Sequence, residues 1–156
     1  MSPRPRTVSD EDILGAAGRV IGRVGPTRVT LADVAREVGL SPATLVQRFG
    51  SKRGLLLALA EGAASSTEGC FEMIRAQHSS PLEALLASAT FMAQMVHSPE
   101  EMANQLAFLQ IDLSDPEFHE LTLAHAQATR AEIRSLVDAA VGAGVLAPVD
   151  TTRLAK

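Results

Sequence analysis

At 156 residues with 46% hydrophobic content, the chain is long enough for one good core, or for a small and a medium helical unit. No run approaches the roughly 18 uncharged apolar residues that span a bilayer, and the N-terminus MSPRPRTVSDED lacks the apolar stretch of a signal peptide. The formal charge of −4 hides a segregation: residues 1–53 carry nine Arg/Lys against five Asp/Glu, net +4, and the rest of the chain carries five against thirteen, net −8. Such a split suits a basic DNA-facing module joined to an acidic body, with chance segregation of surface charge as the plain alternative. The single cysteine, Cys70, excludes an internal disulfide framework and fits a reducing cytoplasm.

In chain order, residues 1–8 hold two prolines and two arginines and read as a flexible basic arm. Ser9 with Asp10, Glu11 and Asp12 is an N-cap followed by an acidic first turn, favourable at the positive end of a helix. The helix it opens is predicted over Asp10–Val24, with Ile13, Ala17, Val20, Ile21 and Val24 as its buried stripe, and Gly25-Pro26 ends it. Thr30 caps the next helix, and Asp33 completes an approximate capping box with Asp in place of the usual Glu. Val34, Ala35 and Val38 share one face, Gly39 occupies the left-handed C-cap position, and Leu40 packs back onto the helix it leaves. Ser41 caps a second short helix with Pro42 in its first turn, where a missing N–H costs nothing; it runs to about Phe49 and Gly50 breaks it. Two short helices joined by a Gly-containing turn, with an apolar inner face, are the helix-turn-helix signal.

From Ser51 a long helix is predicted to about Gln77, although Gly54, Gly62 and Gly69 weaken it by roughly 1 kcal/mol each relative to Ala. Ser80-Pro81 opens a helix to about His97, Ser98-Pro99-Glu100-Glu101 opens another, and Asp115-Pro116 opens a long one ending near Gly142 and Gly144. Pro148 and Asp150 suggest one more start at Thr151, close to the final residue Lys156. No stretch alternates as a strand must. The predicted fold class is all-α. It comprises the arm at 1–8, a three-helix helix-turn-helix domain at 9–53, and a helical-bundle domain at 54–156 that reads as truncated at its C-terminus.

Other chemistry finds little support. The histidines His78, His97, His119 and His125 form no i, i+4 pair, and no Glu-x-x-His motif is present, so no metal or cofactor is expected. Asp115 and His119 are four apart at a helix start, a structural arrangement. Without a Gly-rich phosphate loop or a nucleophile elbow, no enzyme is expected. Cys70, beside Phe71 and Met73, reads as a packed thiol rather than a redox sensor. Phe91, Met92, Met95, Met102, Gln105 and Phe108 mix flexible thioethers with aromatics and an amide. They are candidate lining for an adaptable apolar pocket, with an ordinary helical core as the alternative.

The segment ILGAAGRVIGRVGPTRVTLADVAREVGLSPATLVQRFGSKRGLLLAL resembles the DNA-binding domain of the tetracycline-repressor (TetR) family of bacterial transcription regulators. The features that carry the resemblance are the entry Gly25, Val29, Thr30, the Val-Ala-x-Glu-Val-Gly core, and the exit Phe49, Ser51, Lys52. The helices that follow are similar to the family's variable regulatory domain. The resemblance implies that Thr30 and Lys52 hold DNA phosphates at helix N-termini, which agrees with the preference of such termini for anions. It also implies that Pro42, Ala43, Thr44 and Gln47 face the major groove, where Thr44 can meet a thymine methyl or a phosphate and Gln47 suits adenine. Val34, Ala35, Val38, Leu40, Leu45 and Phe49 are then inward and structural.

This chain departs from the family at Val46, where a Tyr that binds phosphate is usual, and at Arg48, where an aromatic or His is usual. Arg48 either replaces the phosphate contact with a charge or forms a surface ion pair. The resemblance further implies a cytoplasmic homodimeric repressor on double-stranded DNA, placing two recognition helices about one turn (roughly 34 Å) apart on a palindromic operator. A small apolar effector would release it. A ligand-independent regulator, whose bundle is a protein-interaction module, is the alternative. Family members usually dimerise through two C-terminal helices, the first of which would begin near Thr151. The expectation is therefore either a fragment or dimer contacts from the helix Pro116–Val141.

Overall fold

The computed structural model describes residues 8–94 and 98–148, without the side chains of residues 105, 112 and 113. Among the described residues seven helices run in order: α1 (Asp10–Val24), α2 (Leu31–Val38), α3 (Pro42–Phe49), α4 (Lys52–Gln77), α5 (Pro81–Ala93), α6 (Pro99–Ser114) and α7 (Pro116–Gly142). There is no strand among the described residues. The basic arm and the start suggested at Thr151 lie outside the described residues, apart from Val8.

The helices begin where capping chemistry places them. Ser9 accepts from the Asp12 amide while the Asp12 carboxylate takes the Ser9 amide, and Thr30 and Asp33 do the same for α2. Ser41, Ser80 and Ser98 each cap a helix whose first turn holds a proline. Each such hydroxyl satisfies an N–H that the helix itself leaves without a partner. Gly39 stands at φ +70 and ends α2, with the Leu40 amide closing back on Ala35. The described part of α5 ends at Ala93, short of the predicted His97, and residues 95–97 are not described.

Two compact units divide the chain, Met1–Gly62 with Ser98–Phe118, and Ala63–His97 with His119–Lys156. In the first, Ile13, Ala17, Val20, Val34, Ala35, Leu45 and Leu55 form a fully enclosed core, onto which Val38, Leu40 and Phe49 pack at the rim. The stripe expected on α1 is present, with Ala16 added and Val24 half-buried. From sequence, α6 falls in the second domain. In the structure it packs on α1 within the first unit, where the Asn104 amide donates to the Gly22 carbonyl at 2.7 Å. The second unit has its own smaller core of Phe71, Ala84 and Leu136, edged by Ile74, Leu85 and Ile133. Beside it, Arg75 pairs with Glu132, and Thr67 shares a hydrogen bond with His125 at 2.9 Å. Cys70 on α4 is half-buried.

Candidate nucleic-acid interface

Burial of Leu45 at 0% exposure fixes which way α3 faces. With that side chain in the core, helical geometry turns Pro42, Ala43, Val46 and Gln47 outward, and all four are exposed. α2 supports α3 from behind through Val34 and Ala35, both fully buried. The turn between the two helices is held by Gly39, and the Ser41 hydroxyl lies 2.8 Å from that of Thr44. An eight-residue helix with one buried anchor and a neutral outer face therefore stands on a rigid two-helix base.

The candidate phosphate-binding residues all have partners within the chain. The Thr30 hydroxyl donates to the Asp33 carboxylate at 2.6 Å, and these contacts hold the Asp33 carboxyl below its ordinary range. The Lys52 ammonium, at the start of α4, donates to the Thr27 carbonyl at 2.6 Å. That contact ties α4 to the loop ahead of α2, so Lys52 and Thr30 belong to one braced segment. The Arg48 guanidinium bonds the Val8 carbonyl at 2.8 Å and Asp10 at 3.0 Å, which joins the last turn of α3 to the start of α1. Nothing in the sequence marks that pairing, because 38 residues separate the partners. Glu37 is likewise gripped by Arg23 at 2.7 Å and Arg19 at 3.6 Å, and Arg23 above all lowers its carboxyl pKa. Pairing of this kind restrains α2 against α1 behind the outward face.

A sequence profile of bacterial regulatory proteins of the tetR family matches residues 13–59. The chain is 30% identical over 148 residues to the HTH-type transcriptional regulator BetI of Agrobacterium fabrum, an alignment covering 92% of this chain and 68% of that protein. The chain belongs to the TetR family. A second BetI, from Rhizobium meliloti, is 30% identical over 140 residues, covering 88% of this chain and 66% of the relative, so the chain spans about two thirds of the length of the two BetI proteins. Among solved structures, the TetR-family regulator PfmR from Thermus thermophilus is similar at 27% identity and a TM-score of 0.59, covering 92% of this chain and 78% of PfmR. A TetR regulator from Haloarcula marismortui, at 18% identity, shares the fold with a TM-score of 0.68 over 94% of this chain and 77% of that one.

In this TetR-family chain the six candidate lining residues do not fall in one compact unit. Phe91 and Met92 lie on α5 in the second unit, each about half exposed, at 48% and 47%. Met102 and Phe108 lie on α6 in the first, where Phe108 packs edge-on against the buried Phe118 at 6.3 Å between ring centres. Met95 and the Gln105 side chain are outside the described residues. A groove of about 620 Å³ follows α7, lined by Gln127, Arg130, Ala131, Arg134, Ser135 and Asp138, and includes none of the six. Among the described residues, no group of His, Cys, Asp and Glu is arranged to hold a metal ion, and no helix is long and apolar enough to cross a membrane.

Proposed function

We propose that this protein is a sequence-specific DNA-binding transcriptional repressor. The observation that carries the reading is the outward face of α3, exposed along Pro42, Ala43, Val46 and Gln47 and braced from behind by α2. Its position inside the segment matched by the tetR-family profile supports the same reading. In this reading α3 enters the major groove, Pro42, Ala43, Thr44 and Gln47 meet base edges, and Thr30, Arg48 and Lys52 meet phosphates. Lys52 and Thr30 sit at helix N-termini, which favour anions. A phosphate arriving there exchanges with the internal partners Thr27 and Asp33.

The repressor acts in the cytoplasm as a homodimer on a palindromic operator, with its two copies of α3 about one DNA turn (roughly 34 Å) apart. A small apolar effector, binding among the helices that follow α4, favours a dimer geometry that no longer fits successive grooves. Release is then a population shift driven by differential affinity. Of the candidate lining residues, Phe91 and Met92, which share α5 in the second unit, remain proposed.

The deciding experiment is selection of bound sequences from random DNA, followed by footprinting of the enriched sites. Enrichment of a palindrome with half-sites about 10 base pairs apart supports the reading. Failure to enrich any sequence removes it.

A further inference from the structure

The outward face of α3 is unusual in what it lacks. Its exposed positions Pro42, Ala43 and Val46 are apolar, and Val46 neighbours Pro42 at i, i+4 and Ala43 at i, i+3 spacing, with Thr44 and Gln47 at the flanks. Val46 is the large member of the set and is 49% exposed. The one charged side chain of α3, Arg48, is turned back onto Val8 and Asp10. These outward positions carry no charge of their own, although residues 1–53 around them are net basic.

The floor of the major groove offers one apolar feature among its hydrogen-bonding edges, the C5-methyl group of thymine. A β-branched side chain on a helix is held in essentially one rotamer, so Val46 presents a fixed methyl pair that loses little freedom on contact.

We propose that Val46 reads a thymine by packing on its C5-methyl group in the major groove, with Ala43 closing the same apolar contact. The residue that removes the usual phosphate-binding tyrosine thereby adds a base-reading contact in its place. This inference rests on the DNA-binding reading above.

The test uses the full chain and a duplex enriched from random DNA, with each thymine of a half-site replaced in turn by uracil. That replacement removes only the methyl group and leaves every hydrogen-bonding edge intact. For the unaltered protein, one uracil position per half-site is expected to weaken binding about fourfold, the loss for one buried methyl. Val46→Ala, a change at an exposed helical position, is expected to bind the thymine duplex more weakly and to lose discrimination at that position alone. Two results would overturn the proposal while leaving the DNA-binding reading intact. One is indifference of the unaltered protein to every uracil. The other is undiminished thymine preference in Val46→Ala at every position, which assigns the methyl to Thr44 or Ala43. Absence of any enriched duplex would overturn the inference together with the reading it rests on.

Discussion

Arg53 and Asp115, separated by 62 residues in sequence, form a two-pronged pair: the Arg53 Nε and Nη2 donate to the two carboxylate oxygens at 3.0, 3.0 and 2.8 Å. Glu117 accepts from the same guanidinium at 2.9 Å, and the buried ring of Phe118 lies beneath it at 5.7 Å. The clamp fixes the first turn of α4 to the start of α7 inside the first unit. In the sequence Asp115 stands four residues before His119 at a helix start, a structural arrangement. Its carboxylate serves Arg53 and the Glu117 amide.

The clamp sets an acid limit on stability. Arg53 above all holds the Asp115 carboxyl below its ordinary value of 3.8. A carboxyl whose folded pKa is depressed contributes stability above its unfolded pKa, and that contribution is lost as pH falls through the folded value. Urea unfolding midpoints should therefore be lower for Asp115→Asn than for the unaltered protein at pH 6, and the gap should close as pH falls below about 3.8. Asp33 and Glu37, both shifted in the same direction, keep a residual acid sensitivity in the variant. A gap that stays constant down to the lowest accessible pH would show that the pair does not titrate as described.

The glycines of α4 should separate by environment rather than by helix propensity. A Cβ at Gly69 meets nothing nearby, so Gly69→Ala should stabilise the protein by about 1 kcal/mol, the ordinary helical gain. A Cβ at Gly54 would overlap the backbone carbonyl oxygen of Phe49, which cannot swing aside as a side chain could. Gly54→Ala should destabilise by about 1–3 kcal/mol despite the same intrinsic gain. Because Phe49 ends α3, the same change should also weaken DNA binding. Thermal unfolding of the two variants side by side measures the difference in sign.

These contrasts show what the sequence can and cannot carry. Helix starts were legible because Ser9, Thr30, Ser41, Ser80 and Ser98 act on amides three residues away, within reach of local chemistry. The inward residues Val34, Ala35 and Leu45 were legible because periodicity and burial agree there. Gly54 read as a weakness, since the approach of Phe49 depends on how α3 turns into α4. The packing of α6 on α1, and the partners of Arg48 and Arg53, depend on contacts between elements far apart in the chain, which no local pattern encodes. Val46 read as the loss of a tyrosine. Only its exposure beside Pro42 and Ala43 shows an apolar face.

Salt dependence separates phosphate contacts from internal ones. Each phosphate neutralised adds about 0.9 to the slope of log affinity against log salt, so loss of one contact per subunit in a dimer lowers the slope by about 1.8. Lys52→Ala should show this fall, with a small loss of stability from the missing bond to Thr27. Arg48→Ala should show the same fall if its guanidinium leaves Asp10 for a phosphate on binding. An unchanged slope for Arg48→Ala leaves it the ion pair alone.

Gly25 and Asn104 should prove coupled. Gly25 stands at φ +83 and ψ 157, a region almost reserved for glycine, where a side chain costs on the order of 1–3 kcal/mol. A Cβ there would also lie 2.6 Å from the Asn104 Oδ1, forcing that side chain off the Gly22 carbonyl to which its amide donates. Gly25→Ala thus carries both the backbone strain and part of the loss caused by Asn104→Ala, which by itself should cost about 1–3 kcal/mol for a carbonyl left without its donor. In the double variant the steric share disappears, so the total should fall short of the sum of the two single changes by about 1 kcal/mol or more. Strict additivity in urea unfolding would mean that Asn104 moves aside without losing its bond.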